Sequence, residues 1–231
     1  MPHIGPVMAS PLQIELARRE MLSEQLRRRG ITDRRVLEAM ARVPRERFVP
    51  EEWQAQAYSD RALPIDCDQT ISQPYIVGLM TQALQLSGHE TVLEIGTGSG
   101  YQAAVLSRLA ARVITLERHP ELSTRAAEIL ADLNIHNVEP IVGDGSLGWP
   151  PAAPYERIIV TAAAATCPPA LFEQLAEGGR LVLPLGDSDS QMLEVIHKTA
   201  GRAQVEHLCG CRFVPLVGQQ AWPAGDAGES A

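Results

Sequence analysis

No apolar stretch in this 231-residue chain approaches the ~18 residues from which a membrane-spanning helix is read, so nothing is expected to cross or hold to a membrane. The opening residues lack a basic start followed by an apolar block and carry Glu15, Arg18, Arg19 and Glu20 instead. A secretory signal is therefore not expected, and the cytosol is the expected compartment. A basic excess is missing as well. Lys and Arg number 20 against 28 Asp and Glu, and the formal net charge of −8 opposes attachment to a long phosphate backbone. No nucleic-acid partner is expected. The four cysteines, Cys67, Cys167, Cys209 and Cys211, include no CxxC pair, and the six histidines include neither an HExxH nor an i,i+4 pair. A disulfide framework and a metal site both lack support, and the cysteines read as small buried hydrophobes.

What is present suits an ordinary globular chain, with 45% hydrophobic and 21% charged residues. The length corresponds to one domain over residues 1–231, expected as a monomer. Leu12, Leu16, Met21, Leu22 and Leu26 recur at helical spacing up to Gly30, and a second helix follows with Thr32 or Asp33 as cap and Val36, Leu37 and Met40 as its apolar face. Residues 44–73 read as irregular, punctuated by Pro44, Pro50 and Pro64; a long segment of this kind is more often functional than idle. From Pro74 the pattern alternates. Helices over Tyr75–Leu86, Tyr101–Ala111, Pro120–Leu133 and Pro169–Ala176 separate short β-branched runs at Thr91–Ile95, Arg112–Glu117, Val138–Val142, Arg157–Thr161 and Arg180–Leu185. Such alternation predicts an α/β fold with a doubly wound, mostly parallel sheet covered on both faces. Met192–His197 and Ala203–Val214 follow without a helix between them and read as an antiparallel pair turning near Gly201. The plan is a helical and irregular extension over residues 1–73, a core over 74–222, and a small polar tail over 223–231 expected to be disordered.

The central motif is Val92-Leu93-Glu94-Ile95-Gly96-Thr97-Gly98-Ser99-Gly100. Glycines at the mouth of a first strand let a ligand approach bare main chain beside the positive end of the next helix. Spacing sets aside a P-loop, which needs GK[ST], and a nucleophile elbow, which needs glycines two residues either side of Ser99; GxGxG also differs from the dinucleotide GxGxxG. Glu94 lies two residues before the first glycine, where a pyrophosphate gains nothing from added negative charge but an ammonium and a sulfonium would. Glu117 ends the next strand, placed to accept from both ribose hydroxyls, and Asp144 in Gly143-Asp144-Gly145 ends the one after, within reach of an adenine amino group. Each acid alone could equally be a solvated loop residue or a helix cap. Together they point to S-adenosylmethionine, with an expected set of Glu94, Gly96, Gly98, Gly100, Glu117, Asp144 and Gly145.

Over about Met21–Trp222 the chain resembles the protein-L-isoaspartate O-methyltransferases. The resemblance rests on Val43-Pro44-Arg45-Glu46-Arg47-Phe48-Val49-Pro50, Gln69-Thr70-Ile71-Ser72-Gln73-Pro74, the glycine loop, Gly143-Asp144-Gly145, Gly178-Gly179-Arg180-Leu181-Val182-Leu183-Pro184 and Phe213-Val214-Pro215-Leu216. It implies a Rossmann-like methyltransferase fold and methyl transfer from S-adenosylmethionine, leaving S-adenosylhomocysteine, to the α-carboxylate of isoaspartyl residues in damaged proteins. The ester then collapses to a succinimide whose hydrolysis partly restores aspartate. It also implies Ser72 as the active-site residue, Thr70, Ser72 and Gln73 on the acceptor side, and Val214, Pro215 and the residues to Gly218 lining the acceptor cleft. The chain departs from the family pattern at Thr161–Cys167, where alanines continue instead of giving way to a proline, and before Met21.

The chemistry implied is consistent with the residues present. A carboxylate with a pKa of about 3.5–4 is already ionised at neutral pH, so its attack on a sulfonium methyl needs no general base. Rate comes from holding an oxygen in line with the methyl, worth up to ~7–11 kcal/mol in favourable cases. Ser72 is suited to donate to one acceptor oxygen, although a serine just before Pro74 could instead cap the following helix. Other readings of the same letters remain: a methyltransferase for small molecules or RNA, an NAD-dependent oxidoreductase, and a non-catalytic module that keeps only the donor pocket.

Overall fold

A computed structural model describes residues 10–223. From residue 224 onward the expected disordered tail lies outside the described residues. Helix α1 (Pro11–Glu20) opens on a reciprocal cap, Ser10 Oγ accepting from Gln13 N while the Gln13 side chain accepts from Ser10 N. The chain continues through a wider π turn at Met21–Leu26 and a tight 3-10 turn at Arg27–Arg29 before Gly30 ends it at φ +96°. The widening turns Met21 and Leu26 fully into the core. Asp33 caps α2 (Arg34–Arg42), which buries Val36, Leu37, Ala39 and Met40. Residues 44–73 hold two 3-10 turns, Arg45–Phe48 and Glu51–Gln56, and a small antiparallel pair, β1 (Leu63–Pro64) with β2 (Thr70–Ile71).

The alternating region supplies α3 (Pro74–Leu84), β3 (Thr91–Ile95), α4 (Tyr101–Leu106), β4 (Arg112–Glu117), α5 (Pro120–Asp132), β5 (Val138–Val142), β6 (Tyr155–Val160), α6 (Pro169–Gln174), β7 (Leu175–Gly186), β8 (Gln191–Thr199) and β9 (Arg202–Cys211). One seven-stranded sheet runs in the order β5-β4-β3-β6-β7-β8-β9. Its first five strands are parallel, and β8 and β9 return antiparallel. Alternate residues feed two apolar layers. Val92, Val113, Ile159 and Val182 pack toward the N-terminal helices and α3, while Leu93, Ile114, Ile158 and Leu181 pack toward α6. At the central strands β3, β4 and β6 both faces are largely buried, so these strands are nearly continuous apolar runs.

Of the helices that end earlier than their sequence pattern predicts, two have their ends held by a distant side chain. Helix α4 stops at Leu106 rather than Ala111 because the Asn137 amide donates to the carbonyls of Ser107 (3.0 Å), Ala110 (3.2 Å) and Ala111 (3.4 Å). Helix α6 stops at Gln174 because Lys198 Nζ, on β8, donates to the carbonyls of Phe172 (3.0 Å), Glu173 (3.2 Å) and Leu175 (2.8 Å). The residues released lengthen β7 to twelve. The order in which the chain adds strands to the sheet reverses between β3 and β6. An open α/β sheet leaves its crevice at the carboxyl ends of the strands at such a point.

Candidate active site

A cavity of about 740 Å³ opens at that point. One wall is the loop after β3, from Gly96 to Ser99, with Glu117 ending β4, Gly145 following β5 and Thr161 following β6. The facing wall comes from distant parts of the chain, Thr70–Ser72 around β2 and Val214–Val217 after β9. Gly96 must be glycine: its φ is +91°, and a Cβ there would overlap Thr161 Oγ1, which donates to the Gly96 carbonyl at 2.6 Å. Glu117 is held by two backbone donors, Gly98 N at 2.9 Å and His119 N at 3.0 Å. It shapes the loop while its edge faces the cavity.

On the facing wall, Ser72 is fixed through its main chain. Arg45 is fully buried and its Nη2 donates to the Ser72 carbonyl at 2.7 Å, its Nε to the Ala57 carbonyl at 2.6 Å. The guanidinium lies 4.8 Å from the Tyr101 ring, and burial pulls its pKa down to about 10. Ser72 does not cap α3: the cap position is Gln73, and no side chain bonds there. Its hydroxyl has no hydrogen bond to protein among the described residues and borders the cavity.

The family model for protein-L-isoaspartate(D-aspartate) O-methyltransferase matches residues 17–221. The chain belongs to this family. A protein-L-isoaspartate O-methyltransferase 1 of Syntrophobacter fumaroxidans is 53% identical over 211 residues, covering 91% of this chain and 99% of its own. One from Methanoculleus marisnigri is 52% identical, covering 89% and 93%. A solved protein-L-isoaspartate O-methyltransferase superposes with a TM-score of 0.80 at 30% identity over 88% of this chain and 67% of its own. A Plasmodium falciparum structure described as a family member in complex with S-adenosyl-L-homocysteine gives 0.75 at 26% identity, covering 87% and 98%. The sheet is thus that of a Rossmann-like methyltransferase with added antiparallel strands.

Against the residues expected from sequence, the methyltransferase cavity brings together Thr70, Ser72, Gly96, Gly98, Glu117, Gly145, Val214 and Pro215. Gln73 lines a smaller cavity beside it, and three others sit elsewhere. Glu94, expected on the wall as a charge, is fully buried beneath the loop. Its side chain turns under the loop toward Thr115 and Thr97, and it is not among the residues that line the cavity. Thr115 Oγ1 donates to it at 2.5 Å, the hydroxyls of Thr115 and Thr97 are 2.7 Å apart, and its other oxygen has no partner. Burial pushes its carboxyl up to about 8, opposed by the Thr115 bond and reinforced by the Glu117 charge. Burial thus favours its neutral form over the fixed negative charge expected.

Asp144 is also withdrawn from the wall. It caps the 3-10 turn Gly145–Leu147, accepting from Ser146 N (2.9 Å) and Ser146 Oγ (2.6 Å), and it accepts from Gln219 N at 2.8 Å. Its work is to tie the loop after β5 to the C-terminal segment. Gly218 passes so close that a Cβ would overlap the Asp144 carboxylate. Gly100 caps α4 behind the wall, and the Gln73 amide donates to the Asp60 carbonyl (3.1 Å) and carboxylate (2.8 Å). The sequence reading missed Thr97, Tyr101, Gln102, His119 and Thr161, all lining the cavity. Thr161 was findable, since it follows the tip of β6 as Gly96 follows β3; nothing local marks His119.

Proposed function

We propose that this protein uses S-adenosylmethionine to methylate the α-carboxylate of isoaspartyl residues, producing S-adenosylhomocysteine and an ester that closes to a succinimide. The observation that carries this reading is the union, in one cavity, of a bare glycine loop with Glu117 on one wall and the unengaged Ser72 hydroxyl on the other. Those residues suit the donor. Gly96–Ser99 offer main chain without side-chain bulk, and Glu117 offers carboxylate edges for hydroxyl donors beside that loop. S-adenosylmethionine supplies an electrophilic methyl when bound. Everything else is positioning by the chain.

Ser72 Oγ donates to one oxygen of the acceptor and leaves the other as nucleophile. A neutral donor does not quench that oxygen as a lysine would. Thr70 stands beside it as a second hydroxyl, and Val214 and Pro215 close the wall against water, which strengthens the Ser72 contact. His119 borders the cavity, yet an ionised acceptor has no proton for it to remove. The proposal extends to a monomer in the cytosol, where four free cysteines stay reduced. The test is incubation with methyl-labelled donor and an isoaspartyl peptide. Label that enters the peptide and is released by mild base supports the reading; base-stable label, or none with isoaspartyl peptides, refutes it.

A further inference from the structure

Beside Ser72 a second cavity of about 140 Å³ adjoins the cleft, sharing Thr70, Ser72, Thr161 and Val214 with it and lined also by the apolar Ile76 and Phe213. Arg212 lines this side cavity. It is exposed and, among the described residues, has neither an ion pair nor a hydrogen bond. The neighbouring charged side chains are engaged by other groups. Asp60, whose carboxylate accepts from Gln73 of the cavity wall, also accepts from Arg29 at 3.0 Å, and Arg29 stacks 3.6 Å from the Tyr75 ring. Arg61 bonds to Gln56 and lies 5.6 Å from the Trp53 ring. An exposed arginine with no partner among the described residues therefore lines a side-chain-sized cavity of mixed polar and apolar lining, in a protein whose net charge is −8.

We propose that this side cavity holds the residue adjacent to the isoaspartate and that Arg212 selects an acidic side chain there. The inference rests on the function proposed above and adds a substrate preference to it. The apolar Ile76 and Phe213 take the methylenes of Glu or Asp, and the Arg212 guanidinium takes the carboxylate. An ion pair at an exposed arginine changes affinity by about two- to fivefold, and salt weakens it. The experiment compares kcat/KM for isoaspartyl peptides that differ only in Glu, Gln or Lys on either side of the isoaspartate. Wild type is expected to favour Glu over Lys by about two- to fivefold, Arg212→Gln to level the series and Arg212→Glu to invert it. S-adenosylhomocysteine affinity, measured by calorimetry, should hold in both variants and report that they fold. Equal kcat/KM for all peptides with wild type, or a Glu preference that survives Arg212→Gln, overturns the subsite and leaves the methylation reading standing. Failure to methylate any isoaspartyl peptide overturns both.

Discussion

Glu117 and Ser72 line one cavity from different parts of the chain, so a substitution at each should move a different constant. Glu117→Ala removes an acceptor for Gly98 N and His119 N and a carboxylate edge on the donor side. A hydrogen bond to a charged group is worth about 1.5–3 kcal/mol, so S-adenosylhomocysteine should dissociate on the order of tenfold or more weakly. Ser72→Ala should lower kcat on an isoaspartyl peptide by ten- to about a hundredfold while calorimetry gives an almost unchanged nucleoside affinity. Equal, mild effects on both constants would refute the division of labour. At this scale letters told part of the story. The glycines and Glu117 were legible because close approach and strand-end acids have positional logic. The burial of Glu94 was not legible, because a carboxyl is written the same way whether it stands at a wall or under a loop.

Elements were legible where their signals are local and obscured where a distant residue decides. Asp33 and Gly30 stand next to the helix ends they set, and both ends fall where the sequence places them. The ends of α4 and α6 depend on Asn137 and Lys198, 26 to 30 and 23 to 26 residues away in the chain. No propensity contains that information. Lys198 gathers three carbonyls at the end of α6 and lies 5.0 Å from the Phe172 ring, so it serves as cap and cover at once. Lys198→Met keeps the stem and deletes the donors, leaving three carbonyls to find other partners. The expected cost is about 1–3 kcal/mol, read as a lower urea midpoint with the slope of the transition unchanged. An unchanged midpoint would show that water serves those carbonyls as well.

Across the whole molecule the parallel sheet was readable because strands buried on both faces must be apolar throughout, and the crevice follows from where their order reverses. That residues 70–72 and 214–217, far apart in the chain, meet at one cavity is implied by the family resemblance alone, since no local pattern carries it. That meeting depends on ties such as Arg45 to Ser72 and Asp144 to Gln219. Burial of two glutamates also gives the protein a pH window. Glu90 loses solvation, but it accepts from Ser87 N, Ser87 Oγ, Gly88 N and His89 N, and the net effect brings its pKa down to about 2. Its contribution is complete above the unfolded value of 4.5 and is lost as pH falls toward 2. Glu94 works in the opposite sense. With a folded pKa near 8 against 4.5 unfolded, the native state binds the extra proton between those values. Its contribution is complete below 4.5 and is lost as pH rises through about 8. Glu94→Gln replaces the protonated acid with a neutral side chain of the same shape. The variant's Tm minus the wild-type Tm should therefore climb steadily from about pH 5 to about pH 9, whatever its starting level. Parallel curves over that range would mean that Glu94 titrates in the folded protein as it does in the unfolded chain, and that water reaches it beneath the loop.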